Sequence, residues 1–207
     1  MWSPAISFDK GTLTAGGLSA RQLATDFGTP TFFIDEDHFR ARAAAWAKAL
    51  EANFGSSAGN VYYAAKAFIC TDVARWIKEE GIGIDVCTGG ELAVALAGGI
   101  DPKKIEVHGN NKSVAEIDRA VAVGVKTIVM DSLFEIERVA AAASKHGVRQ
   151  AVMLRLTPGV EAHTHESIST AHEDVKFGFS IASGAASVAV AQVLSHASLE
   201  LRGFHCH

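Results

Sequence analysis

The chain has 207 residues, of which 48% are hydrophobic and 20% charged. That is ordinary globular usage, which argues against a disordered or fibrous chain and sets a prior of one or two domains. Lys plus Arg number 19 and Asp plus Glu 23, a formal charge of −4, so no basic excess points to nucleic acid or an anionic membrane as partner.

Short apolar runs stand at 31–34, 61–64, 82–86, 105–107, 127–130, 151–156 and 201–207. Most are nearly continuous, as strands buried on both faces should be. Amphipathic stretches lie between them. In 35–54, Phe39, Ala43, Trp46, Leu50 and Phe54 recur at steps of 4, 3, 4 and 4, one face of a helix that Gly55 can close. Three later helices open on S/T-x-x-E: Thr88 with Glu91, Ser113 with Glu116, and Ser132 with Glu135. In such a capping box the hydroxyl accepts from a free helix N–H, and the glutamate reaches back to the cap residue's own N–H. Gly98, Gly124 and Gly147 fall near the ends of these helices.

Strand starts from Val61 onward fall at 61, 82, 105, 127 and 151, steps of 21, 23, 22 and 24. A βα unit is being repeated with little ornament. It predicts either an open doubly wound sheet or a closed (β/α)8 TIM barrel. No G-x-G-x-x-G follows the first strand, which counts against a dinucleotide fold, and the even repeat favours the barrel. The 50-residue step to the last run places an insertion at 157–180, rich in Gly, His and Glu. Three scattered cysteines, Cys70, Cys87 and Cys206, make no disulfide framework and fit a reducing cytosol. The first ten residues lack the pattern of a signal peptide. The apolar stretch 182–201 is interrupted by Ser187, Gln192, Ser195, His196 and Glu200, so it is no membrane span of about 20 apolar residues. A soluble cytoplasmic protein is expected.

In a βα barrel the chemistry sits at the carboxyl ends of the strands. Lys66 ends the run Val61-Tyr-Tyr-Ala-Ala-Lys66. A desolvated ammonium is costly, and the same desolvation favours a nucleophilic amine; the alternative is a lysine snorkelling to the surface. His205 and His207 are two apart, so they face the same side of a strand. Such a pair needs a third ligand to hold zinc, and no metal site is expected; an imidazole can instead serve as a flat platform for a ring cofactor. Asp85 and Arg155 each sit in an otherwise apolar strand and need partners. They are expected to pair across the barrel mouth, for function or for structure alone. His163, His165 and His172 in the insertion show no recognised ligand spacing and fit a solvated loop. Gly89-Gly90 could meet an anion at a helix start, although the capping Glu91 disfavours it. His108-Gly-Asn-Asn-Lys-Ser113 ends another strand without an assignable task.

Tyr63-Ala-Ala-Lys66-Ala, Asp85-Val-Cys-Thr-Gly-Gly-Glu-Leu92, His108-Gly-Asn-Asn-Lys-Ser113, Arg155-Leu-Thr-Pro-Gly159, Lys176-Phe-Gly178 and Gly203-Phe-His-Cys-His207 occur in this order. Together, from about Phe32 onward, they resemble the amino-terminal part of the diaminopimelate decarboxylase family. These are pyridoxal-phosphate enzymes of the alanine-racemase-like barrel class, and Glu161-Ala-His-Thr-His-Glu166 is similar to actinobacterial members. The resemblance implies that Lys66 is the Schiff-base lysine, that His207 stacks on the cofactor's pyridine, and that Asp85 and Arg155 lie near its ring and phenolic oxygen. The implied reaction is decarboxylation of meso-2,6-diaminopimelate to L-lysine and CO2, with the cofactor as electron sink. The implied assembly is a homodimer with a shared active site, acting on a small amino acid and touching neither nucleic acid nor membrane. The implied organisation is an amino-terminal segment, 1–34, that packs with a carboxyl-terminal β domain, and a barrel, 35–207, truncated after about its sixth strand. The β domain, the phosphate-binding loops, the carboxylate for the pyridine nitrogen and the proton donor would lie beyond His207, so the 207-residue stretch alone is expected to be inactive and its barrel unclosed. An arginine or ornithine decarboxylase of the same class, and a non-catalytic pyridoxal-phosphate-binding relative, remain alternatives.

Overall fold

The computed structural model describes residues 4–55, 59–159 and 177–207. Its contacts divide the chain into two compact units, Met1–Val61 and Tyr62–His207. In the first, β1 (Ile6–Asp9), β2 (Thr12–Ala15) and β3 (Leu18–Ser19) form an antiparallel sheet in that order. Ser19 caps α1 (Ala20–Phe27) by accepting from the Gln22 N–H. The apolar run 31–34, expected as a strand, forms none. An extended segment becomes a strand only when a neighbour answers its backbone groups, and Phe32, Phe33 and Ile34 stand exposed instead. Helix α2 (Glu36–Phe54) forms as expected. Asp35 accepts from the His38 N–H, Glu36 and Asp37 complement the positive end of the helix, and Gly55 closes it. Its apolar stripe is not buried: Trp46 and Phe54 are exposed, and only Ala43 is covered. By contacts the helix groups with the first unit.

The second unit alternates strand and helix. Its strands are β4 (Tyr62–Ala64), β5 (Gly83–Val86), β6 (Ile105–Val107), β7 (Thr127–Met130), β8 (Gln150–Thr157), β9 (Phe179–Ser180) and β10 (Leu199–His205). The helices between them are α3 (Thr71–Glu79), α4 (Gly89–Ala97), α5 (Val114–Val123), α6 (Leu133–Lys145) and α7 (Ala185–Ser195). The parallel sheet runs β4-β5-β6-β7-β8-β10, with β9 against β8. The order never reverses, so the sheet is singly wound and not doubly wound. Among the described residues β4 and β10 each pair with one strand of this order. Ile84, Ile105, Ile128, Met130 and Leu154 of the strands are fully buried together with Ile77, Leu92, Ile117 and Ile136 of the helices. Each such side chain contributes about 1.5–3 kcal/mol by leaving water. Among the described residues no helix is long and apolar enough to cross a membrane.

The three S/T-x-x-E boxes open α4, α5 and α6, and each hydroxyl accepts from the glutamate's N–H. Only Ser113–Glu116 is a reciprocal box. Glu91 and Glu135 reach one residue further back, to the N–H groups of Cys87 and Asp131. They therefore tie the first residue after each strand to the helix start. Glu116 also accepts from the Gly89 N–H at 2.7 Å, linking the starts of α4 and α5.

Glu135 has a second partner. Lys112 donates to Glu135 Oε1 at 2.5 Å and to the carbonyls of Gly109 and Val129, each at 2.6 Å. Both side chains are almost wholly buried. Burial pushes the Glu135 carboxyl up, and the Lys112 charge and hydrogen bond oppose that. All three ammonium donors are used, which is what a buried lysine requires. Removing one partner leaves the other charge buried and unanswered. Lys112→Met is expected to lower stability by about 3–5 kcal/mol, and Lys112→Met with Glu135→Leu to recover much of that. Urea denaturation checks both; a single variant within about 0.5 kcal/mol of the parent would contradict the role.

Candidate functional site

Lys66 lies just past β4, on a single 3-10 turn, Ala65–Ala67, and is exposed. This corrects its expected place within a buried strand: the strand stops at Ala64, and the Tyr63 hydroxyl donates to the Phe68 carbonyl at 2.7 Å to close the turn. Asp85 sits on β5 in register with Ala64 of β4 and Glu106 of β6. Arg155 on β8 is in register with His205 on β10. His207 lies two residues beyond the strand, because β10 starts at Leu199 and its register shifts between Leu201 and Gly203. The rings of His205 and His207 lie nearly parallel, 20° apart with centroids at 6.3 Å, so they face the same side as alternation requires.

The four sequence candidates meet at one end of the sheet. Burial lowers the His207 pKa, and the Lys66 and Arg155 charges lower it further while Asp85 raises it. All three groups are therefore within electrostatic reach of that ring. The expected Asp85–Arg155 pair does not form. Asp85 Oδ1 is 3.9 Å from Cys87 Sγ. The Arg155 guanidinium stacks on the Phe177 ring at 4.4 Å; burial pushes the Asp131 carboxyl up, and the Arg155 charge opposes that in part. Each charge found a nearer partner: Phe177 returns from the insertion directly onto β8.

That return is tightly built. Thr157 Oγ1 donates to the Phe177 carbonyl at 2.6 Å, and the Gly178 N–H donates to Asp131 at 3.2 Å. Gly178 has φ +74, and an added Cβ would stand 2.8 Å from the Arg155 carbonyl, so only glycine passes here. His163, His165, His172 and Lys176 lie outside the described residues.

Three groups at the site had no role assigned to them from sequence. His108, past the end of β6, meets His205 edge-on at 4.8 Å and 80°. Glu106 Oε2 is 3.8 Å from His108 Nε2. Phe177 carries Arg155. The alternation Glu106-x-His108, matching His205-x-His207, was the available signal. Among the described residues two buried polar atoms, Arg155 Nη2 and His205 Nδ1, have no hydrogen-bond partner. Unanswered buried polar atoms at the mouth of a sheet suit a polar ligand that supplies the missing partners. Among the described residues no three His, Cys, Asp or Glu side chains are grouped to hold a metal ion.

Known proteins resemble this chain in sequence and in fold. A family model described as "Pyridoxal-dependent decarboxylase, pyridoxal binding domain" matches residues 36–207. Diaminopimelate decarboxylase of Mycobacterium tuberculosis is 57% identical over 197 residues, 95% of this chain and 43% of that protein. The Mycobacterium leprae protein of the same name is 53% identical over all of this chain and 43% of its own. A crystal structure of diaminopimelate decarboxylase from M. jannaschii in complex with L-lysine superposes with a TM-score of 0.85 at 29% identity, over 99% of this chain and 48% of that one. The chain thus spans less than half the length of these relatives.

Burial, followed by the His108 and Arg155 charges, drives the His205 pKa from 6.5 down to about 4. The folded state therefore binds this proton more weakly than the unfolded chain. The stability His205 allows is present above about pH 6.5 and is lost as pH falls toward about 4. Proton NMR of the His205 ring should show a midpoint near 4 and His205→Gln should flatten this part of the stability profile; a midpoint near 6.5 would contradict it.

Proposed function

Because the chain belongs to the pyridoxal-dependent decarboxylase family, through a pyridoxal binding domain over residues 36–207, we propose that it forms the cofactor-holding part of a diaminopimelate decarboxylase. The reaction is loss of CO2 from meso-2,6-diaminopimelate to give L-lysine. The observation that carries this reading is the gathering of Lys66, Asp85, Arg155 and His207 around unanswered polar atoms at one end of a parallel sheet. The lysine-bound relative of known structure supports the product class.

Pyridoxal phosphate fits these residues. Lys66 would hold it covalently, His207 would lay a ring against its ring, and Asp85 and Arg155 would flank it with opposite charges. When bound, the cofactor supplies an electron sink for the pair left behind as CO2 departs. The chain's own contribution is binding and orientation. A His207 ring whose pKa burial lowers adds no positive charge beside an electron-poor ring near neutral pH. Arg155, steadied by Phe177, keeps one guanidinium nitrogen available to an acceptor.

The relatives are more than twice this length, and the remaining catalytic groups, closure of an eight-stranded barrel and a shared dimeric site are assigned to their other part. A cytoplasmic location fits a biosynthetic role. The chain by itself is expected to bind pyridoxal phosphate without releasing CO2. Incubation with the cofactor should give an absorbance band near the visible edge that Lys66→Ala abolishes. His207→Ala should keep the band but weaken binding about three- to tenfold, the scale of one ring contact. A band unchanged in Lys66→Ala would refute the assignment.

A further inference from the structure

Asp131 stands directly after β7, one position beyond the paired Met130 of β7 and Leu154 of β8. The next residue of β8 is Arg155. Continuing the register therefore brings Asp131 beside Arg155, at the end of the sheet where the candidate site lies. Asp131 is only 8% exposed, so its carboxyl sits there at a cost. Burial pushes that carboxyl up, and the Arg155 charge is the foremost opposing influence, ahead of the Gly178 N–H, Lys112 and His108. Glu135 of α6 is the like charge nearby. The position of Asp131 is fixed twice. Its own N–H donates to Glu135 at 2.8 Å, and its Oδ2 accepts from the Gly178 N–H at 3.2 Å. Accepting from an N–H needs no charge, because an amide oxygen serves as well. The buried charge thus has a second use, and Arg155 is the cation it faces.

We propose that Asp131 is a positioning residue for Arg155: its carboxylate, held by the Gly178 N–H, turns the guanidinium so that Nη2 is left to an acceptor on the bound cofactor. The proposal rests on the cofactor reading above. The Phe177 ring, whose centroid is 4.4 Å from the guanidinium carbon, fixes the plane of the group but not which edge faces the site. A fixed carboxylate does select an edge, because the planar fork of N–H donors turns toward it. Nη2 is buried and without a hydrogen-bond partner among the described residues, as it would be if the turn were made before a ligand arrives. Preorganised donors of this kind need no rearrangement on binding.

The test is a coupling measurement. In Asp131→Asn the amide oxygen can still accept from Gly178 while the charge is lost, so the fold should be kept. The affinity of the chain for pyridoxal phosphate, read from the Lys66-dependent band, should fall about three- to tenfold. In an Arg155→Lys background, which keeps a charge but no planar fork, the same change should alter affinity by less than about twofold. A purely structural Asp131 would lower affinity equally in both backgrounds. A second readout needs neither variant nor cofactor. In the cofactor-free parent chain, NMR of the Asp131 carboxyl carbon and of the Arg155 Nε–H should give one shared pH midpoint, above the ordinary aspartate value of about 3.9. That measurement decides the matter should Asp131→Asn fail to fold. Unchanged or tighter binding in Asp131→Asn, an equal loss in both backgrounds, or an Arg155 resonance that does not follow the Asp131 carboxyl would overturn the proposal. A parent chain that gives no band refutes the cofactor reading instead, and the shared midpoint still decides whether Asp131 sets Arg155.

Discussion

Lys112 carries a charge into the interior of a parallel sheet, and a buried charge persists only where each of its donors is answered. Its three hydrogen bonds, to Glu135 and to the Gly109 and Val129 carbonyls, do this. They join the loop after β6, strand β7 and the start of α6 at one point. Glu135 then accepts from the Asp131 N–H, and Asp131 accepts from the Gly178 N–H. The returning insertion is fixed in turn, and with it the Phe177 ring under Arg155. One ion pair thus connects the placement of His108 to the placement of Arg155.

The interior above and below this point is unusually polar for a parallel sheet. Strands buried on both faces normally carry apolar side chains, yet β5 and β6 bring Asp85 and Glu106 into register, and β8 and β10 do the same for Arg155 and His205. Burial, and then the His108 and Arg155 charges, bring the His205 pKa down to about 4, against the opposing Glu106 charge. A sheet that keeps Arg155 Nη2 and His205 Nδ1 unanswered forgoes stability at its mouth. Binding sites carry such a cost, because preorganised polar atoms then need no rearrangement when a ligand arrives.

Much of this was legible in the sequence. The period of 21 to 24 residues placed β4 to β8 within one residue at every start, because a βα repeat leaves little freedom in loop length. The helix starts were legible through their hydroxyl caps. The reach of Glu91 and Glu135 past the cap was not, because it depends on where the preceding strand ends. The run 31–34 misled for a physical reason: apolar, β-prone residues predict a strand only if a partner exists, and periodicity contains no partner. Asp85 and Arg155 were correctly identified as charges in need of company. Their actual neighbours, Cys87 for one and Phe177 and Asp131 for the other, come from loop residues whose position no spacing encodes. Glu106 and Asp131 were overlooked because each is a single polar residue in or beside a short strand, and only the sheet register shows its neighbours.

The family places a pyridoxal binding domain on residues 36–207, and the strand ends bring together a lysine, a carboxylate, a guanidinium and a stack of imidazoles. The central claim is that Lys66, and no other amine, carries the cofactor. The buried Lys112 is fully occupied by its three acceptors, and Lys126 is held by Tyr62, so neither can serve. Borohydride reduction of the chain incubated with pyridoxal phosphate, followed by peptide mass mapping, tests this most directly. The account predicts the reduced cofactor on the peptide containing Lys66; the label on Lys112 or Lys126, or spread evenly over surface lysines, would contradict it.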